Sequence, residues 1–206
     1  MSKELTNKQG NHHEADQLIA LLDAVDRLPG AAELRARSYE LLGTAPGATA
    51  VDVGCSAGRA VAELTEAGAK SVGVDPDERM IEVARQRWPE ADFRTAGAYE
   101  LPFANSTIDG YRADKVFHEL AEPERALGEA RRVLSPGGRI VLVGQDWDTF
   151  VIDFDDPALT RTIVHARADL VPGPRAARHY RHSPCNHTRP RPEPASQGGG
   201  RRRASE

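Results

Sequence analysis

TAVDVGCSAG (49–58) runs from a β-branched apolar stretch into a turn bounded by two glycines, and SVGVD (71–75) repeats the apolar stretch one unit later and ends on an acid. Apolar positions at helical spacing lie between the two, from about Gly58 to Gly68, so the segment reads as strand, turn, helix, strand. Glycine at 54 and 58 lets backbone pass close to a ligand, while Ser56 and Ala57 stay small, so a nucleoside with its tail fits across the turn. A tight turn that binds nothing has the same residues, and both readings stand at this point. Outward from the turn the period keeps switching. Two helices precede the first strand: one through Leu18, Leu22 and Val25 to the stop at Pro29 and Gly30, and one from about Ala31 to Leu42. After SVGVD come a helix over 76–87, the strand DFRTAG (92–97), a polar loop and the strand IDGYRAD (108–114). A helix from Pro123 to Leu134 closed by SPGG, the strand RIVLVGQ (139–145) and a helix opened by Asp156 and Pro157 follow. Strands alternating with helices predict an α/β fold: a doubly wound, mostly parallel, Rossmann-like sheet covered on both faces. Its ligands belong at the carboxyl ends of the strands, where the strand order reverses.

The rest of the composition removes competing classes. The 206 residues carry 27 Lys plus Arg against 31 Asp plus Glu, a net charge of −4, which argues against a nucleic-acid partner because duplex binding relies on basic neutralisation of phosphates. No uncharged apolar run approaches the roughly 18 residues of a membrane span, and the first residues hold no apolar signal segment, so the expectation is a cytoplasmic protein with no membrane contact. Cys55 and Cys185 are too far apart in the chain to form a metal cluster or disulfide framework by themselves, and no metal site is expected. His12 and His13 read as solvated residues of a disordered start, 1–13.

Asp75 ends the second strand, where a carboxylate can accept hydrogen bonds from both ribose hydroxyls of a nucleoside. Asp75, Pro76 and Glu78 also look like a helix start with a capping box, a role that needs no ligand. A dinucleotide fingerprint would put glycine where Ser56 and Arg59 stand, and Arg59 opposes the close helix packing the third glycine permits, which counts against a nicotinamide cofactor.

Several pieces in order resemble the class I S-adenosylmethionine-dependent methyltransferases, in particular the small-molecule group (methyltransferase type 11) that includes the ubiquinone and menaquinone biosynthesis enzymes. They are VDVGCSAG (51–58), VGVDPDERMIEVAR (72–85), ELPFANSTIDG (100–110), HEL (118–120) and EARRVLSPGGRIVLV (129–143). The resemblance implies S-adenosyl-L-methionine as cofactor, with Asp52, Gly54, Ser56 and Gly58 around its methionine part and Asp75 on its ribose. It also implies Met80 near the adenine, Gly97 and Ala98 at the adenine edge, and Asp114 beside the sulfonium. Two positions depart from the pattern: the family commonly has glycine at Ser56 and an adenine-contacting acid at Gly97. Loss of that carboxylate removes one hydrogen bond, on the order of 1 kcal/mol or several-fold in affinity.

The implied activity is methyl transfer to an oxygen or carbon, with nitrogen less favoured, of a small organic metabolite such as one of secondary metabolism. A methyl on a sulfonium is already activated, so the protein has mainly to align the acceptor and exclude water. An acceptor of high pKa also needs a base, and His118, just after the fourth strand, is the candidate catalytic residue, with a structural or gating role as its alternative. Asp146 and Trp147 are secondary candidates for the acceptor side, or loop packing. The two leading helices (14–43) would form the lid of a domain spanning 14–180. Asp114 is followed by Lys115, Val116 and Phe117 rather than the Pro-Pro-aromatic of amino-directed DNA methyltransferases, and no Pro-Cys pair stands there for cytosine chemistry. Two other classes stay open: a non-catalytic or truncated methyltransferase-like domain, and a nicotinamide-dependent oxidoreductase. The sequence leaves the oligomeric state and the identity of the acceptor undetermined.

Residues 181–206 hold six Arg, two Glu and four Pro and none of Val, Ile, Leu, Met, Phe, Trp or Tyr. Such a stretch cannot bury a core and reads as a disordered basic tail. The resemblance implies seven strands, and only five strand signals precede it. The composition fits out-of-frame translation of a GC-rich gene, so the expectation is that a helix starting near Arg175 is cut by a frameshift past Tyr180 and the last two strands are lost, with a native basic tail as the alternative.

Overall fold

The computed structural model describes residues 19–145, 152 and 154–170. Helices α1 (19–26) and α2 (Ala31–Leu42) come first, separated by Gly30 in the left-handed region (φ 82°). Then follow β1 (Thr49–Val53), α3 (Arg59–Glu66), β2 (Lys70–Asp75), α4 (Glu78–Arg87), β3 (Asp92–Thr95), β4 (Ile108–Asp114), α5 (Pro123–Val133), β5 (Leu134–Val143) and α6 (Pro157–Leu170). The five strands form one sheet in the order β3-β2-β1-β4-β5, every neighbouring pair parallel. The order reverses at β1, which lies between β2 and β4. That is where a doubly wound sheet opens a crevice at its carboxyl edge. Among the described residues no helix is long and apolar enough to cross a membrane.

Burial on both faces explains the near-continuous apolar strands. On one face Val51, Val53, Val74, Ile108, Tyr111 and Ala113 pack with Ala126, Ala130 and Val133 of α5. On the other, Ala50 and Val141 meet Leu42 of α2 and Leu64 of α3, while Phe93 and Cys55 meet Val61 of α3 and Ile81 and Ala84 of α4. Parallel register places Asp52 opposite Gly73 and Arg112, so these residues share the second face.

Element boundaries differ from the sequence expectation in two instructive places. α5 ends at Val133, and SPGG, expected as a helix stop, lies inside β5. The ladder absorbs it through a register irregularity at Ile108 and Gly110, with Gly137 at φ 84° and the Ser135 hydroxyl donating to Asp109 at 2.8 Å. At α4, Asp77 rather than Asp75 is the N-cap: its side chain accepts the Arg79 N–H at 3.0 Å, and the helix begins at Glu78. The capping-box reading of Asp75 is therefore corrected. The start of α6 is as expected, with Asp156 Oδ1 accepting the Ala158 and Leu159 N–H groups, both at 3.0 Å. The expected disordered ends, the frameshifted tail with its missing strands, and Asp146 and Trp147 lie outside the described residues.

Candidate active site at the carboxyl edge of the sheet

The turn after β1 is built by backbone geometry and one carboxylate. Gly54, Ser56 and Gly58 all take left-handed φ values of 71°, 49° and 83°. At Gly58 a side chain would run into the Phe93 ring, so only glycine lets α3 start this close to β3. Ser56 carries a Cβ in a region that favours glycine, a strain of about 1–2 kcal/mol. The turn is held from below by Asp75, which accepts the Ser56 N–H on Oδ2 and the Asp77 N–H on Oδ1, both at 2.9 Å. Burial pushes the Asp75 carboxyl above its usual range, and those two backbone N–H groups oppose the shift. A carboxylate offers about four acceptor positions, so two remain for a ligand. Met80 is buried in α4 with its sulfur 3.9 Å from the Ser56 hydroxyl, and the Trp88 indole N–H donates to the Ala57 carbonyl at 3.0 Å. A Cβ at Gly97 would meet nothing within 4 Å, which leaves the loop after β3 open, whereas Ala98 is packed into the α5-side core.

The second half of the edge is made of charges. Asp52 on β1 and Asp114 at the end of β4 are joined by Arg112, which is 2 % exposed. Its Nη1 donates to Asp52 Oδ1 at 2.7 Å and its Nη2 to Asp114 Oδ2 at 2.9 Å, while Lys115 Nζ lies 3.2 Å from Asp114 Oδ1. Burial raises the Asp52 carboxyl above its ordinary value despite Arg112. His118 follows on the short loop after β4, 6 % exposed, with Nε2 3.1 Å from Glu119 Oε1. Its Nδ1 is buried and has no hydrogen-bond partner among the described residues. Burial holds the imidazole below its usual pKa, Arg167 and Lys115 push the same way, and Glu119 and Asp114 oppose them, so the ring is neutral at pH 7.

The N-terminal helices are fastened to α3 and α4 by ion pairs. Asp23 of α1 binds Arg87 at 2.8 Å, Asp26 binds Arg59 at 2.7 Å and Arg35 at 3.3 Å, and Arg35 continues to Glu63 at 3.0 Å. Arg59, an obstacle to a dinucleotide fingerprint by sequence, is thus a tether for α1.

A family model described as "Methyltransferase domain" matches residues 51–142, which carry both halves of this edge. Residues 51–142 have the sequence signature and the fold of a class I methyltransferase domain. The chain is 33% identical over 159 residues to a 37.1 kDa protein in transposon TN4556 of Streptomyces fradiae, a match covering 74% of this chain and 46% of that one. It is 32% identical over 111 residues to the demethylmenaquinone methyltransferase of Renibacterium salmoninarum, covering 54% and 47%. The chain therefore spans about half the length of these relatives. Among solved structures, a TehB-like SAM-dependent methyltransferase from Corynebacterium glutamicum aligns with TM-score 0.53 at 26% identity, covering 66% of this chain and 72% of that one. The [4+2]-cyclase SpnF aligns with TM-score 0.52 at 27% identity, covering 54% and 44%.

Of the residues singled out by sequence, the methyltransferase domain brings Asp52, Gly54, Ser56, Gly58, Asp75, Met80, Asp114 and His118 to its carboxyl edge. Gly97 borders the edge, and Ala98 is turned into the core. Arg112 was not singled out. Its position two residues before Asp114 on one strand put it on the acid's face, and that was the available signal.

Proposed function

We propose that this protein transfers a methyl group from S-adenosyl-L-methionine to an oxygen or carbon of a small organic molecule. The observation that carries the reading is the convergence, at the strand-order reversal, of the glycine-bounded turn, Asp75 with acceptor capacity to spare, and the buried, unpartnered His118 Nδ1. In this reading Asp75 takes the ribose hydroxyls, and Gly54, Ser56 and Gly58 give their backbone to the amino-acid part. Asp52 and Asp114 face its cationic end, and Met80 and the open Gly97 flank the base. When bound, the cofactor supplies a methyl already activated on a sulfonium. His118 Nδ1 accepts the proton of the acceptor's hydroxyl or acidic C–H, a task for which a neutral imidazole is the competent form. Helices α1 and α2 act as a lid that keeps water from the acceptor. The relatives named demethylmenaquinone methyltransferase support a quinone- or phenol-like acceptor.

The test is ligand-dependent thermal stability of the full chain, since a ligand stabilises only the state that binds it. S-adenosylhomocysteine is expected to raise the melting temperature and NADH to leave it unchanged. The opposite pattern would reject the methyl-transfer reading.

A further inference from the structure

Arg112 is a charged side chain in the floor of the site, and its fork of donors reaches three elements. Nη1 and Nη2 bind Asp52 of β1 and Asp114 of β4, and Nε donates to the Ser38 hydroxyl of α2 at 2.8 Å. Its Cζ also lies 5.5 Å from the centre of the Tyr39 ring. Strand geometry makes the bridge possible. Asp52 is the register partner of Arg112, and Asp114 is two residues along the same strand, so all three project from one face. We propose that Arg112 is a positioning residue of the donor site, holding Asp52 and Asp114 as a fixed charged pair and tying that pair to the N-terminal helix α2. The proposal rests on the reading above, in which both carboxylates face the cationic end of the methyl donor.

Only arginine fits the task. A lysine offers a point charge, which cannot serve carboxylates on two strands and a hydroxyl on a helix in fixed directions. Burial makes the charge matter. Asp52 is 3 % exposed, and its carboxyl is already displaced upward by that burial, with Asp114 and Asp75 adding to the displacement and Arg112 opposing it. Lys115 compensates Asp114 from the solvent side, and the Tyr39 hydroxyl, pushed up by burial and by its bond to Glu63, stays neutral. Without Arg112, the burial that already displaces the Asp52 carboxyl upward goes unopposed by that guanidinium, so Asp52 takes up a proton more readily and attracts a cation less. The loss of affinity is then reversible by alkali, which a loss from mere misfolding is not.

The experiment is calorimetric titration of S-adenosylhomocysteine into the full chain, its Arg112→Met variant and its Arg112→Lys variant, from about pH 6.5 to about pH 8.5, with circular dichroism to confirm folding. The unsubstituted protein is expected to vary less than about threefold across the range, and Arg112→Met to bind about tenfold or more weakly at the acid end and recover most of that at the alkaline end. Arg112→Lys should show the same slope at smaller amplitude, and it decides the matter alone where the methionine variant does not fold. Loss that is independent of pH, or no loss, overturns the proposal and leaves the donor site standing. Failure of the unsubstituted protein to bind at any pH overturns the donor-site reading, and this proposal with it.

Discussion

The turn after β1 and the turn after β4 adjoin at the carboxyl edge, close enough that a side chain at Gly54 would collide with Val116, yet they are built by different means. Each contains a non-glycine residue in the left-handed region, Ser56 at φ 49° and Lys115 at φ 59°. In the first turn the Ser56 backbone N–H is received by one carboxylate, Asp75, which also accepts the Asp77 N–H at the start of α4. The second turn is closed by the Lys115 N–H on the Val143 carbonyl at 2.7 Å, and its interior is occupied by charged side chains and an imidazole. A backbone-built turn suits a ligand recognised by shape and neutral hydroxyls. A charge-built turn suits a cation and a proton in transit. In the proposed reading the first turn only binds, whereas the second adds a base to the carboxylates that face the cofactor's cationic end, and the division can be tested from each side.

The sharpest break would come at the second turn. His118→Gln is expected to lower turnover by about a hundredfold or more while leaving S-adenosylhomocysteine affinity nearly unchanged, measured as kcat and Kd on the same preparations. A parallel fall in both would make His118 a structural residue and erase the division. At the first turn the signature inverts. Asp75→Ala is expected to cost roughly 1.5 to 3 kcal/mol of cofactor affinity by calorimetry, through loss of hydrogen bonds at a charged acceptor. Unchanged affinity would reduce Asp75 to a support for the turn.

Acid should also separate the two halves. His118 has a depressed pKa when folded, so below the ordinary histidine value of about 6.5 the unfolded chain binds the proton first, and the folded state loses stability as pH falls. The melting temperature should therefore drop between about pH 7.5 and about pH 5.5, and His118→Gln should flatten part of that drop. Turnover should keep a plateau through neutral pH with its acid limb below about 6.5, where the base becomes protonated. The smallest effect belongs to the strained residue of the first turn. Ser56→Gly should relieve the left-handed strain but add unfolded-state entropy, for a net stabilisation below about 1 kcal/mol by denaturant titration.

The same division explains what the sequence disclosed. The first turn was legible because it is local: glycine spacing, small residues between, and an acid at the end of the next strand are all read within 25 positions of chain. The five strands followed from burial on both faces, which writes a run of apolar residues into each. The charge-built half was legible only in part. Asp114 and His118 stood out as single residues, but Arg112 owes its meaning to Asp52 and Ser38, 60 and 74 positions away, and no local pattern announces such a partner. SPGG was misplaced for a related reason. Its helix-stopping chemistry is correct locally, and the sheet overrides it by accepting a bulge.

Trp88 gives the first turn an optical handle. The chain has two tryptophans, and the indole of Trp88 is tied to the carbonyl of Ala57, within the turn that would cradle a nucleoside. Indole emission moves with the polarity and hydrogen bonding around its N–H. In a Trp147→Phe background the fluorescence would come from Trp88 alone, and a ligand settling against Ala57 would write its arrival into the emission wavelength. The protein thereby carries its own binding reporter, able to time ligand entry in a stopped-flow mixer without any attached dye.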